Sequence, residues 1–88
     1  MEFDESIKTI DDLSPGMILP GKVNNITAFG AFIDIGIKEN GLLHVSKMSH
    51  RRVSDPSEIL SIGQTVRAKV IDVDLDRGRI SLSIKDLD

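Results

Sequence analysis

Apolar and polar residues alternate along most of the chain after Pro15, and this pattern predicts five β-strands. Successive side chains of a strand point to opposite faces, so alternation indicates a strand with one face in a core. The predicted strands cover residues 17–29, 31–37, 41–45, 65–74 and 79–85. In the fifth and most regular strand, the inward side chains are predicted to be Ile80, Leu82 and Ile84, and the outward ones Arg79, Ser81, Ser83 and Lys85.

Two breaks in the alternation predict places where a strand changes register. Val23 and Ile26 are both apolar but lie three residues apart, so the first strand requires one bulge near residues 24–25. In the fourth strand the apolar parity shifts to Ile71 and Val73, which turns the neighbouring aspartates outward. A long first strand bent by a bulge is what a small closed barrel needs.

Two connections carry signals of their own. The segment from Lys38 to Gly41 resembles a hairpin connection, with Gly41 where a positive φ is favoured. Residues 55–58, Asp-Pro-Ser-Glu, favour the start of a short helix, which Gly63 ends. Five strands with a short helix between the third and the fourth match the OB fold, an all-β, five-stranded antiparallel barrel whose second and third strands often bind oligonucleotides.

Three ring-bearing side chains are predicted to point away from the barrel core. The parity of the second strand turns Phe32 outward, and that of the third strand turns His44 outward. Before Gly30, parity places Ala28 inward and Phe29 outward, although a bend at the glycine can reset the register. The alternative is that the phenylalanines belong to the core, which is the commoner place for Phe.

Length and composition bound the possible functions. The 88 residues make one domain, and the absence of cysteine excludes disulfides, Cys-ligated zinc and thiol chemistry. Two histidines without a partner cluster predict no metal site, and we expect no cofactor. No apolar run approaches bilayer length and the N-terminus lacks a signal-peptide pattern, so we expect a cytoplasmic protein that does not bind membranes.

Charge is unevenly distributed along the chain. Residues 1–14 hold five acids and one base, whereas residues 15–88 hold nine acids and ten bases. We therefore predict a flexible acidic leader or linker over residues 1–14 and a near-neutral domain over residues 15–86. Such a domain is a poor candidate for sequence-independent duplex binding, but it can bind single strands if its charges are segregated.

The side chains predicted to face outward suit recognition of single-stranded RNA. Exposed bases stack on aromatic, His or Arg planes while basic groups contact phosphates, and Phe29, Phe32 and His44 offer such planes. Asp74 and Arg79 are predicted to meet across the last hairpin, either to orient the guanidinium or as an ordinary surface pair. The candidate phosphate contacts are Lys47, Arg51, Arg52, Arg67, Lys69 and Arg79.

The sequence offers no basis for catalysis. No nucleophile has an adjacent base, and the two-residue spacing of His44 and Ser46 has no diagnostic value. Alternating aspartates at 72, 74 and 76 lack the pattern of a calcium loop. We therefore expect a binding module that is not an enzyme. The rival hypothesis is a protein-interaction module that docks a partner through the exposed Phe patch.

Six segments together resemble the S1 RNA-binding domain family. They are Gly-Lys-Val at 21–23, Phe-Gly-Ala-Phe-Ile at 29–33, Gly-Leu-Leu-His-Val-Ser at 41–46, Ile-Gly-Gln-Thr-Val at 62–66, Val-Ile-Asp-Val-Asp at 70–74 and Arg-Ile-Ser-Leu-Ser at 79–83. The resemblance covers about residues 15–85. It implies an OB barrel and a single-stranded RNA surface carried by Phe29, Phe32, His44, Asp74 and Arg79.

Two further segments narrow the resemblance. Residues 10–19 and 53–59 are similar to the C-terminal S1 domain of the Tex family of bacterial transcription accessory proteins. Short stand-alone stress proteins and the RNA-binding tail of polynucleotide phosphorylase are similar as well. The Tex resemblance implies a domain of a larger nucleic-acid-binding protein, and we expect the domain to be monomeric. The expected partners are then single-stranded RNA, or alternatively single-stranded DNA, and the rest of that parent protein.

Overall fold

The structure, a computed structural model, describes residues 3–49, 53–85 and 87 and contains five strands. The strands are β1 (Ile18–Thr27), β2 (Gly30–Asp34), β3 (Gly41–His44), β4 (Thr65–Asp74) and β5 (Arg79–Ser83). Three short 3₁₀ helices accompany them: η1 (Ile10–Asp12), η2 (Val45–Lys47) and η3 (Pro56–Glu58). The number and order of the predicted strands are confirmed, and β4 has the predicted bounds.

The strands form a closed barrel in the order β1-β2-β3-β5-β4. Closure requires β1 to pair with two neighbours, β4 along its first half and β2 along its second. The register shift between Val23 and Asn25 lets β1 bend from one partner to the other, and a second shift lies between Val70 and Asp72. Both predicted bulges are confirmed. The predicted all-antiparallel pairing is wrong at one place, because β3 and β5 are parallel.

The core fills the barrel interior with the alternate side chains that the pattern predicts. Its fully buried aliphatic residues are Val23, Ala31, Ile33, Ile35, Leu43, Ala68, Val70, Ile80 and Leu82. Burying one large aliphatic side chain contributes about 1.5–3 kcal/mol. The hydrophobic core is therefore the main stabilising element, and the side chains of the outward face are available for binding.

One predicted outward side chain, Ser83, is instead fully buried. The 3₁₀ helix η2 lies over the end of β5, where the carbonyl of Lys47 accepts hydrogen bonds from the Ser83 hydroxyl at 3.4 Å and from the Ile84 N–H at 3.0 Å. The strand ends at Ser83, and Ile84 is only half-buried against the core. Strand parity cannot anticipate a cover that comes from 36 residues earlier.

The connections differ from the prediction in two places. Ala28 was predicted to face inward but is exposed, because β1 ends at Thr27 and residues 28–29 form the turn to β2. Gly41 has no positive φ; in this connection the positive φ belongs to Gly36. Gly41 lacks a side chain for another reason, since a Cβ there would collide with the buried Leu82.

The helix predicted after residue 55 is a single 3₁₀ turn. Asp55 caps it by accepting the Ser57 N–H at 3.0 Å, and Pro56 occupies the first position, as the pattern predicts. The helix ends at Glu58, however, well before Gly63. Burial of Pro56 and Leu60 fixes this turn on the barrel.

The described part of the acidic leader packs on the barrel and does not stand free of it. Ile7 and Leu13 are buried in the core cluster, and Ile10 of η1 packs against it. Phe3 lies over Gly36, the glycine of the β2–β3 connection. The leader was expected to be flexible because its charges obscure this three-residue apolar spacing. The domain boundary at residue 14 stays a prediction.

Candidate nucleic-acid interface

A surface groove of about 710 Å³ lies on the outer face of the barrel where β2, β3 and β5 meet. Residues from these strands and from the turns beside them line it: Phe29, Phe32, Asn40, Leu42, Gly78, Arg79, Ile80 and Ser81. We call it the aromatic groove. It places two aromatic rings and one guanidinium along a single surface.

Strand register explains why Phe32 is central. Phe32 pairs with Asn25 of β1 and Leu42 of β3, Leu42 pairs with Ser81 of β5, and Ser81 pairs with Asp72 of β4. Cross-strand partners share a face at about 4.5–5.5 Å between Cβ atoms, so these five side chains form one outward row. Its three middle members, Phe32, Leu42 and Ser81, are half-buried, whereas the polar residues at its two ends are exposed. Phe32 therefore faces outward, as parity predicts.

Phe29 occupies the turn between β1 and β2, not the end of a strand. Its side chain is 51% exposed, yet its backbone is anchored, because its carbonyl accepts the Val45 N–H at 2.8 Å. At the end of β1, Thr27 donates its hydroxyl to the Gly30 carbonyl at 3.1 Å. The ring thus projects from a well-held turn at the edge of the groove.

His44 ends β3 opposite Gly30 and is exposed. Its Nδ1 accepts the Ser46 N–H at 3.2 Å and lies 2.8 Å from the Ser46 Oγ, so the side chain also caps η2. The spacing of these two residues carried no signal in the sequence, whereas the fold joins them directly. The ring is held beside the turn that carries Phe29.

Asp74 and Arg79 are register partners, but their side chains do not pair. The Asp74 carboxylate accepts the Arg77 N–H at 3.2 Å and lies 3.8 Å from the Arg77 Nε. The predicted contact is therefore replaced by one within the turn, since three residues bring Arg77 back to Asp74. Arg79 makes no ion pair within residues 3–49 and 53–85, and its exposed side chain lines the groove.

The other basic candidates do not line the groove. Lys47 lies in η2, close to His44 along the chain, and is half-buried. Arg67 and Lys69 pair with Pro20 and Ile18, which places them on the β1–β4 side of the barrel. Arg51 and Arg52 lie outside the described residues. The structure thus brings together only part of the predicted set.

Five lining residues were not predicted as site residues, and three of them, Leu42, Ser81 and Asn40, have side chains that do not belong to the core. Leu42 shares the parity of His44, and Ser81 shares that of Arg79, so both carried a usable signal. Asn40 precedes β3 and carried none, because a loop side chain has no periodicity. Leu42 and Ser81 are identified as neighbours of Phe32 by the pairing of the strands, not by any sequence motif.

Carboxylates elsewhere serve local structure. Hydrogen bonds from the backbone and hydroxyl of Ser57 hold the pKa of Asp55 below its usual value, and backbone N–H donors at Lys8 and Thr9 lower the pKa of Asp12. The Ser6 hydroxyl and N–H lower the pKa of Asp4 in the same way. These acids shape the leader and η3, and none of them lines the groove.

Two further features are absent from the part of the chain that the structure describes. No three His, Asp or Glu side chains there gather closely enough to hold a metal ion. No helix in the same residues has the length and apolar character to cross a membrane.

Comparison with known proteins gives a consistent result. The family model described as S1 RNA binding domain matches residues 12–85. The chain is 47% identical over 83 residues to Transcriptional accessory protein Tex of Neisseria gonorrhoeae, a match that covers 94% of this chain and 11% of that protein. It is 52% identical over 77 residues to small ribosomal subunit protein bS1 of Staphylococcus aureus, covering 88% of this chain and 19% of that protein.

Solved structures extend the same comparison. The crystal structure of an a/eIF2alpha-aDim2p-rRNA complex from Pyrococcus horikoshii superposes with a TM-score of 0.82 at 29% identity. That match covers 86% of this chain and 46% of the other. The chain spans about a tenth to a fifth of the length of the curated relatives it matches.

Proposed function

The chain belongs to the S1 RNA binding domain family, and we propose that it binds single-stranded RNA along the aromatic groove as a binding module, not an enzyme. The observation that carries this proposal is the groove itself, which sets Phe29 and Phe32 beside the guanidinium of Arg79, a group with no ion pair among the described residues. Unpaired bases stack on aromatic faces while a guanidinium binds phosphate oxygens. Both kinds of contact are within one surface.

Each candidate has a distinct role in this proposal. Phe32, in the middle of the outward row, stacks on one base, and Phe29 stacks on the next from its turn. Arg79 contacts a phosphate or a base edge at the β5 side of the groove. Asp74, held by Arg77, accepts a hydrogen bond from a base amino group or a ribose 2′-hydroxyl. His44 contributes its ring at the β3 end.

The basic residues outside the groove define how far the RNA extends. Lys47 of η2, three residues after His44, is a proposed phosphate contact. Arg51 and Arg52, outside the described residues, are proposed as further phosphate contacts. Lys69 is separated from β3 by β5, since it pairs with Ser83. An RNA that contacts Lys69 and Arg67 must therefore continue past the groove and cross β5 to reach β4.

The affinity expected for one such module is modest. Each stacked base contributes about 1–3 kcal/mol, so two or three stacks less the cost of ordering the strand correspond to micromolar binding. Weak binding suits a monomeric domain that works within a longer protein, in line with the length of its relatives. We place it in the cytoplasm because those relatives include a small ribosomal subunit protein.

Replacing Phe32 and His44 together by alanine should weaken RNA binding at least tenfold without unfolding the barrel, because neither side chain belongs to the buried core. Fluorescence anisotropy with a short unstructured RNA measures the affinity, and circular dichroism checks the fold. Ile62→Ala is the matched control, since Ile62 is 67% exposed and does not line the groove. Unchanged affinity in the double variant would remove the groove as the site.

Titration of isotopically labelled protein with a short RNA and the matching DNA tests the site directly. We expect backbone amide shifts to gather around Phe29, Phe32, His44 and Arg79, and to be larger with RNA than with DNA if the protein contacts a 2′-hydroxyl.

The second candidate function is docking of a protein partner, which the 51% exposure of Phe29 favours. Absence of shifts at millimolar RNA would favour that function.

A further inference from the structure

His44 and Ser46 are joined by two contacts at the end of β3. The Ser46 N–H donates to Nδ1 of His44 at 3.2 Å, and the Ser46 Oγ lies 2.8 Å from the same nitrogen. Both residues are exposed, so these contacts are not a consequence of core packing. They hold the imidazole ring from one side.

The donor roles in this pair follow from elementary chemistry. A backbone N–H can only donate, so Nδ1 must present its lone pair. In a neutral imidazole the single ring hydrogen then resides on Nε2. The Ser46 hydroxyl also donates to Nδ1, since that nitrogen has no hydrogen to offer. Ser46 therefore selects one of the two neutral tautomers of His44.

The selected tautomer has its remaining N–H away from Ser46. Nε2 is separated from Nδ1 by Cε1, so its N–H points away from Ser46, and the His44 side chain is exposed. The ring also neighbours the groove, because His44 pairs with Gly30 and the adjacent Val45 N–H donates to the Phe29 carbonyl. A donor fixed at this position can meet an acceptor on a bound strand.

We propose that Ser46 is a positioning residue, which fixes the plane and tautomer of His44 so that Nε2–H donates to an oxygen of bound RNA. The acceptor is a phosphate oxygen or a base carbonyl. The inference rests on the proposed RNA-binding function and adds a residue that touches no RNA itself.

A purely structural role for Ser46 has a close parallel elsewhere in the chain. At the start of η3, Ser57 donates its N–H and its hydroxyl to the Asp55 carboxylate at 3.0 and 2.9 Å, with the same two-residue spacing. Ser57 is exposed and does not line the groove. Ser57→Ala is therefore the matched control for Ser46→Ala.

The test compares RNA affinity and the ring nitrogens of His44 in RNA-free protein. Ser46→Ala removes the hydroxyl contact at 2.8 Å and keeps the longer backbone N–H contact at 3.2 Å, so the ring loses the shorter of its two restraints. We therefore expect the variant to shift the Nδ1 and Nε2 resonances and to weaken binding about two- to tenfold, the effect of one net hydrogen bond. Ser46→Thr, which keeps the hydroxyl, should restore both. Ser57→Ala should change neither. In a His44→Ala background, Ser46→Ala should cause no further loss.

Three outcomes would overturn the assignment: unchanged ring resonances in Ser46→Ala, unchanged RNA affinity, or an equal loss of affinity with and without His44. A wild-type chain that bound no RNA would instead overturn the proposed function. The ring resonances, measured without RNA, would still decide whether Ser46 holds the imidazole.

Discussion

Gly30 and Gly41 flank the candidate interface, and each sits where a side chain has no room. A Cβ at Gly30 would lie 2.5 Å from the Leu43 carbonyl oxygen and 3.1 Å from the His44 Cα. A Cβ at Gly41 would instead meet the side chain of Leu82, whose Cγ lies 2.8 Å away. The first obstacle is backbone of the neighbouring strand, whereas the second is the buried side chain of Leu82, which has rotatable bonds that a backbone carbonyl lacks. The two glycines should therefore differ in their tolerance of a methyl group.

Gly30→Ala should lower the free energy of unfolding by about 3 kcal/mol and Gly41→Ala by about 1 kcal/mol, because overpacking against backbone forces β2 and β3 apart. Urea denaturation of the two variants measures the difference. Amide shifts at His44 should accompany Gly30→Ala only. Equal losses of stability would contradict the distinction between backbone and side-chain obstacles.

The segment before β1 illustrates how an element can be part of the fold without regular secondary structure. Ile7, Ile10 and Leu13 recur every third residue around η1, and they cover the barrel from outside the sheet. The Met17 carbonyl and the Gly16 N–H then join this segment to Val70 of β4, at 2.7 Å each. Apolar contacts thus hold the acidic leader on the barrel, and backbone hydrogen bonds hold the two residues just before β1.

Leu13→Ala should lower the free energy of unfolding by about 2–3 kcal/mol, because it removes a buried leucine and leaves a partial cavity. Thermal unfolding should show a decrease of roughly 10–20 °C in Tm for a domain of this size. Asp11→Ala, in the same turn but exposed, should stay within about 0.5 kcal/mol of the parent. A stable Leu13→Ala variant would mean that the leader contributes little to the barrel.

On the scale of the whole molecule, the net negative charge of the chain repels RNA, so binding requires basic groups that are segregated on one surface. The net charge is −3, and residues 1–14 carry more than all of this excess. The leader packs on the barrel, so its acidic side chains stay close to the RNA-binding domain. RNA binding must therefore come from local contacts in the groove and its rim, not from an attractive overall field.

RNA affinity should fall as salt rises, with a logarithmic slope of about −2 if three phosphates of a single strand are neutralised. Arg79→Gln should reduce that slope by about 0.7, which corresponds to one phosphate contact. Phe32→Ala should weaken binding while leaving the slope unchanged, because stacking releases no counterions. Affinity that does not respond to salt would favour an apolar docking surface over RNA.

The sequence by itself determined what depends on neighbours along the chain. Alternation of apolar residues placed the five strands, and its two breaks placed both bulges, because a strand's faces follow from a period of two residues. The same period turned Phe32 and His44 outward. The motifs at these positions indicated the S1 family, whose model matches residues 12–85.

Only the tertiary structure decided which distant residues meet. The parallel pairing of β3 with β5 places Ser81 beside Leu42 and completes the groove. The η2 cover buries Ser83, and the turn gives Asp74 a partner other than Arg79. Such contacts depend on which strands and loops become neighbours in space. That information is long-range, and a local period cannot encode it.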